Sequence, residues 1–319
     1  MKKIIHGLLF AVFLSLAWLP AARGEDRYPD GFNDIYWLGG EDVSYDPHRA
    51  ALVPLQDARV CFPPPLISLL PEAIKAPDAK PLIAIVIDDM GVDLKRSERA
   101  VKNLKSPVTM SYLAYSPHIG AQVAAAKKQG HEIFLHLPWE PDNAKADPGP
   151  NHMSVTMSKE QLQKNLLENL GGFDGYAGVN NHMGSKFSRY RGGIEIVMAE
   201  LKKRGVFFLD SRTTADSIAE KVAREYDIPA THRDVFLDHV EKPEYVAAAL
   251  REVEKIALRK GSAVAIGHPK DMTLEALEAW LPALEDRGFQ LAPLTTVIKY
   301  RQARAGGHLA HLEPDKLEK

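Results

Sequence analysis

Residues 83–91 read Ile83-Ala84-Ile85-Val86-Ile87-Asp88-Asp89-Met90-Gly91, a short apolar run that ends in two carboxylates and a glycine. An unbroken run of this kind, bounded by turn residues, fits a strand covered on both faces, as in a parallel sheet. Neighbouring side chains of a strand face opposite ways, but where the backbone turns away at a strand end both carboxylates can reach one rim. One can then bind a metal while the other acts as a base. The competing reading is that the pair caps the following helix.

Outward from this strand, the chain after Pro81 alternates short apolar runs with amphipathic stretches, the texture of repeated βα units. Strands are expected at 82–88, 108–114, 132–137, 177–182, 206–210, 235–237, 263–267 and near 290–293. Leu162, Leu166, Leu167 and Leu170 recur at helical spacing behind a Ser158-x-x-Gln161 capping box, and Gly171-Gly172 ends that helix. Similar stripes fall within 190–204, 241–260 and 273–285. The expected fold class is α/β, a distorted (β/α)7-8 barrel, with an open doubly wound sheet as the alternative.

With 45% hydrophobic, 26% charged and 8% aromatic residues over 319 positions, the composition is that of a globular protein with a large core. A formal charge of −2 and the lack of a basic block interleaved with aromatics argue against a nucleic-acid partner. The single cysteine, Cys61, excludes an intramolecular disulfide framework and a Cys-rich zinc site. Lys2, Lys3, the apolar run 7–19 and Ala22-Arg23-Gly24 give residues 1–24 the pattern of a signal peptide, an uncleaved anchor being the alternative. Export is therefore expected, to the periplasm if the host has two membranes. Residues 25–80, with Pro63-Pro64-Pro65, read as a Pro-rich arm or linker, 81–300 as the domain, and 301–319 as a polar tail.

Asp88-Asp89, His136, Asp210, His182 and His268 all fall at expected strand ends. In parallel α/β folds these ends form the functional rim, so residues far apart in sequence can share a site. A lone histidine here is more often structural, but His136 and His182 occur in similar settings on successive strands. An Asp with two His ligands leaves coordination positions open for water and substrate, as metal-assisted hydrolysis requires. His268 is placed to protonate a leaving amine.

The segments Ile87-Asp88-Asp89-Met90-Gly91, His136-Leu137-Pro138-Trp139-Glu140-Pro141, Asn181-His182-Met183-Gly184-Ser185, Asp210-Ser211-Arg212-Thr213-Thr214, Arg233-Asp234-Val235-Phe236-Leu237-Asp238 and Gly267-His268-Pro269 carry a resemblance. From residue 83 to about 297 the chain resembles the divergent polysaccharide deacetylases, relatives of the NodB-homology carbohydrate esterases. The resemblance implies a distorted barrel, Asp88 as general base, Asp89 as ligand to a divalent metal, zinc first among the expectations, and His268 as general acid. His136 matches the first histidine of the family's histidine-x-x-x-histidine motif. The second is Glu140 here, so His182 is expected to replace it, or Glu140 itself coordinates or orients a ligand; His182 is preferred.

The family's arginine-bearing motif is absent in its familiar form. Asp210 and Arg212 are expected at the rim as a charge pair that tunes the metal or grips substrate, with Arg233, Asp234 and Asp238 doing the same from the next strand. The other reading is that these pairs only fix loops. The implied activity is an exported metal-dependent hydrolase that deacetylates an N-acetylated polysaccharide or a related amide, with an envelope glycan as partner. The rivals are a non-catalytic envelope protein binding a glycan or partner, and a hydrolase of a different amide.

Overall fold

The computed structural model describes residues 79–306 together with Ile74; the expected signal peptide, nearly all of the expected arm and most of the tail lie outside the described residues. No helix among the described residues is long and apolar enough to cross a membrane. The strands are β1 (Leu82–Met90), β2 (Thr109–Leu113), β3 (Glu132–Trp139), β4 (Gly178–Met183), β5 (Phe207–Asp210), β6 (Ala230–His232), β7 (Val235–Phe236), β8 (Ser262–Gly267) and β9 (Gln290–Leu291). The helices are α1 (Leu94–Asn103), α2 (Ile119–Lys128), α3 (Lys159–Leu170), α4 (Arg191–Arg204), α5 (Ala219–Glu225), α6 (Pro243–Lys260), α7 (Asp271–Trp280) and α8 (Leu294–Ala305). The Ser158/Gln161 capping box starts α3 and Gly171 follows its end.

Every strand pair is parallel, in the order β6-β5-β4-β3-β2-β1-β8-β7, with β9 added to β1. β6 and β7 stand at opposite ends of this order, yet only Arg233 and Asp234 separate them in the chain. Three Cα steps of ~3.8 Å cannot span a flat eight-stranded sheet, so the sheet curls until its ends meet. The two linking residues bond in opposite directions: Arg233 N donates to Asp210 O beyond β6, and Asp234 N donates to Val264 O of β8. The result is a distorted barrel with one seam, which excludes the open doubly wound sheet.

Pleat parity then sorts the side chains. Ile83, Ile85 and Ile87 belong to the apolar cluster shared with the outer helices. Leu82, Ala84 and Val86 point the other way, joining Phe134, Leu209, Val264 and Ile266 in an inner cluster with Leu294, Val297 and Ile298 of α8. Ile74, from the expected arm, is buried in the same inner cluster.

The helix α8 closes the mouth at the N-terminal ends of the strands. Leu294 N donates to Thr109 Oγ1, Thr295 N to Glu132, and Arg301 to Ser262 and Thr231, all first or second residues of their strands. α8 runs to Ala305, five residues past the expected end of the domain at 300. With that end plugged, the opening at the other end carries the chemistry.

Candidate metal centre

The register places the interior positions Asp88, His136, Asn180 and His182 near one level of the barrel: His136 pairs with Asn180, and Pro138 with His182. Asp89 should face outward by strict alternation. Its φ of 55° and a register shift in β1 between Ile87 and Met90 break the alternation and turn both carboxylates to the rim. Met183 at φ 51° and Arg212 at φ 46° follow the interior residues His182 and Ser211 in the same way, so three strand exits of the rim use left-handed backbone.

Asp89, His136 and His182 form a group able to hold a metal ion. Asp89 Oδ1 lies 2.8 Å from His182 Nδ1 and 3.3 Å from His136 Nε2, and the two ring nitrogens are 3.2 Å apart. Donors around a tetrahedral ion with bonds of about 2.0–2.1 Å stand roughly 3.3 Å from one another, so this triangle has the right size. Asp89 Oδ1 is also buried without a hydrogen bond, the state of an atom whose lone pairs are aimed at an ion. Burial pushes the Asp89 carboxyl up, but His136 and His182 outweigh it and hold it well below the usual carboxylate range. Side-chain exposure is 2% at His136, 12% at His182 and 32% at Asp89, so the group opens to solvent on the Asp89 side.

Asp88 stands behind this group, with Oδ2 3.6 Å from His136 Nε2. Burial raises its pKa, and His136, His268 and the Asn180 amide offset this only in part. Asn180 Nδ2 donates to Asp88 Oδ1 at 2.9 Å and to Ser211 Oγ at 3.1 Å, while Asn180 Oδ1 accepts from Ser111 Oγ and faces His136 Nδ1 at 3.1 Å. An Nδ1–H donated to Asn180 leaves His136 Nε2 with its lone pair toward the group.

On the other side, His268 Nδ1 is 2.9 Å from Asp238 Oδ1, and its Nε2 approaches Asp89 Oδ2 at 3.7 Å. Asp238 Oδ2 accepts from His268 N and Thr273 Oγ1, which locks the pair. Burial pulls the His268 imidazole down, but the Asp238 hydrogen bond and the nearby Asp89 outweigh it and raise its pKa.

Other expected site residues lie elsewhere. Glu140 binds Lys186 Nζ at 2.6 Å, Ser154 Oγ at 2.7 Å and Val155 N at 2.8 Å, which fastens the loop after β3 and keeps it out of the ligand group. Asp210 does not form the expected charge pair with Arg212: its carboxylate accepts from Arg212 N, Ser217 Oγ and Glu220 N. The left-handed turn at Arg212 presents its backbone amide to Asp210, and its side chain lines a surface groove beside α5. Arg233 donates to the carbonyls of Ser211 and Arg212. Asp234 is taken by Arg301 and Lys260. Ser111, Asn180, Ser211 and Thr273, which tie the centre together, were not among the expected residues; the spacing of Asn180 and His182 along one strand face was the available signal.

Known proteins share this arrangement's scaffold. The chain is 32% identical over 209 residues to an uncharacterized protein of Haemophilus influenzae, covering 65% of this chain and 74% of the relative. It is 30% identical over 227 residues to the uncharacterized protein YibQ of Escherichia coli K12, covering 71% and 68%. The crystal structure of an uncharacterized protein of Agrobacterium tumefaciens C58 superposes with a TM-score of 0.67 at 26% identity, covering 68% of this chain and 89% of that one. Residues 85–298 match the family described as divergent polysaccharide deacetylase, a span that includes every strand exit bearing the centre, and the chain belongs to that family.

Proposed function

We propose that the protein is an exported metal-dependent hydrolase that removes acetyl groups from an N-acetylated polysaccharide, or cleaves a related amide, in the cell envelope. The observation that carries this reading is the convergence of Asp89, His136 and His182 between a buried carboxylate, Asp88, and a carboxylate-backed histidine, His268. Asp89, His136 and His182 would hold a divalent ion, zinc by the donor types, which when bound would supply charge to polarise an acetamide carbonyl and to acidify water. Asp88, fixed by Asn180, takes a proton from the attacking water. His268, oriented by Asp238, gives a proton to the departing amine. The products are acetate and a free amino sugar. The basic start, apolar run and small residues near 22–24 support export.

The rival reading, a glycan-binding protein without turnover, drew on Glu140 standing where relatives have a histidine. Glu140 serves the loop after β3 here, and His182 supplies the second imidazole of the group, which favours catalysis. The test is metal content by elemental analysis for the wild type and for His136→Ala and His182→Ala, followed by acetate release from N-acetylated oligosaccharides. Near-stoichiometric zinc lost in both folded variants, with acetate release lowered by about 10²–10⁴-fold in Asp88→Asn, is the expected result. A protein that binds no divalent ion after reconstitution overturns the proposal.

A further inference from the structure

From β1 to β5 a helix follows every strand, but β6 passes to β7 through Arg233 and Asp234 alone. The outer ring of helices therefore has a gap at the seam. A groove occupies it, lined by Arg233, Phe236, His239 and Tyr245, by two carboxylates, Asp234 and Glu252, and by small residues of α6. α6 leaves the rim at the end of β7, so Tyr245 lies at the rim end of the groove and Glu252 about 10 Å further along the helix.

Arg233 is held rigidly in this groove. Its Nε donates to Ser211 O and its Nη2 to Arg212 O, both at 2.7 Å, and its Cζ stands 4.8 Å from the centre of the Phe236 ring. Nη1 has no partner among the described residues, and no carboxylate there forms an ion pair with the guanidinium. The carboxylates around it are engaged elsewhere: Asp234 by Arg301 and Lys260, Asp210 by Arg212 N, Ser217 and Glu220 N, and Asp88 by Asn180. A half-buried guanidinium with no carboxylate in direct contact carries a desolvation cost that Asp88 and Asp210, acting from a distance, offset in part and that a bound anion would offset further. Phe236 also packs against His268, with ring centres 5.4 Å apart, so one aromatic side chain borders both the groove and the metal centre.

We propose that the groove over the β6–β7 seam is a subsite for a carboxylate carried by the ligand, bound by the Arg233 guanidinium beside the Phe236 ring. That this ligand is the substrate rests on the hydrolase reading of the metal centre; the anion subsite itself is measured by binding alone. A carboxylate fits better than a phosphate dianion, because a single guanidinium faces it while Asp88 and Asp210 act on Arg233 electrostatically and would repel a second negative charge. The planar fork of arginine suits a carboxylate.

The probes are two N-acetylated hexosamine oligosaccharides of equal length, one neutral and one with a carboxylate on alternate sugars, titrated calorimetrically into the metal-loaded full chain. The wild type should bind the carboxylated probe about tenfold or more tightly than the neutral one, with the preference shrinking at high salt. Arg233→Gln should weaken the carboxylated probe at least about tenfold more than the neutral one, and Arg233→Lys should fall between. Absence of a wild-type preference, or a preference insensitive to salt, overturns the subsite, as does an equal loss on both probes in folded Arg233→Gln, the signature of an arginine that only ties the 211–212 loop. If Arg233→Gln fails to fold, the wild-type preference and its salt dependence decide the matter. Retained preference without acetate release overturns the hydrolase reading and leaves the subsite standing.

Discussion

Asn180 links the two working halves of the centre. Its amide nitrogen holds Asp88 and its carbonyl oxygen faces His136, while Ser111 and Ser211 fix which way the amide points. Asn180→Ala should therefore weaken zinc binding by about 10–100-fold while leaving the fold intact, measured by competition with a chromophoric chelator. Asp238 offers a separate handle. Since Asp238 raises the His268 pKa, Asp238→Asn should let it drop, and a general acid that deprotonates earlier moves the alkaline limb of the pH–rate profile to lower pH. An unshifted limb would remove His268 from that role. Gly91 is a third case: at φ 99° a Cβ would lie 2.5 Å from Ser116 Oγ, so Gly91→Ala should cost about 2–4 kcal/mol in denaturant unfolding. At this scale Asp89, His136 and His182 were legible as a ligand group because their side chains announce chemistry, whereas Glu140 and Asp210 carry the same signal and fasten loops instead. Asn180 and Ser211 were not legible, since amides and hydroxyls occur everywhere and only a shared interior face gives them meaning.

Among the elements, strands β1, β3 and β8 were readable because they are largely apolar runs closed by turn residues. β6 was not: Ala230–His232 has no run and no alternation, and it is a strand only because β5 pairs with it. The seam it forms with β7 has no ladder between them, and a side chain replaces it. Arg301 of α8 bonds Thr231 and the carbonyl of His232 on one side, Ser262 on the other, and pairs with Asp234 in the middle. Nothing in the local pattern of 294–305 marks Arg301 as more than a polar helix residue; its role depends on contacts 39 to 70 residues away. Arg301→Ala leaves the Asp234 carboxylate with only Lys260 and the Val264 amide and should destabilise by about 3 kcal/mol, seen as a lower denaturant midpoint with unchanged slope.

For the molecule as a whole, several carboxylates are held below their ordinary range by cationic or histidine partners. For Glu220 burial pushes the carboxyl up, but His232 and Arg224 outweigh it and hold it at about 2. Asp234 and Asp238 shift the same way through Arg301 and His268. A depressed acid contributes stability that is present above its ordinary pKa and lost as pH falls through the folded value. Thermal midpoints should thus decline between about pH 4.5 and pH 2, with a shallower decline in Glu220→Gln. The barrel also has a consequence in time. β1, the first strand among the described residues, takes one edge partner from residues 262–267, its other partners are β2 and residues 290–291, and α8 then plugs the mouth. A ribosome delivers β8, β9 and α8 about 170 residues or more after β1, so the edge of β1 that β8 covers stays open while the intervening strands are made. Closure therefore waits until β8, β9 and α8 have emerged, and any chaperone that keeps the protein pliable has that interval in which to engage it.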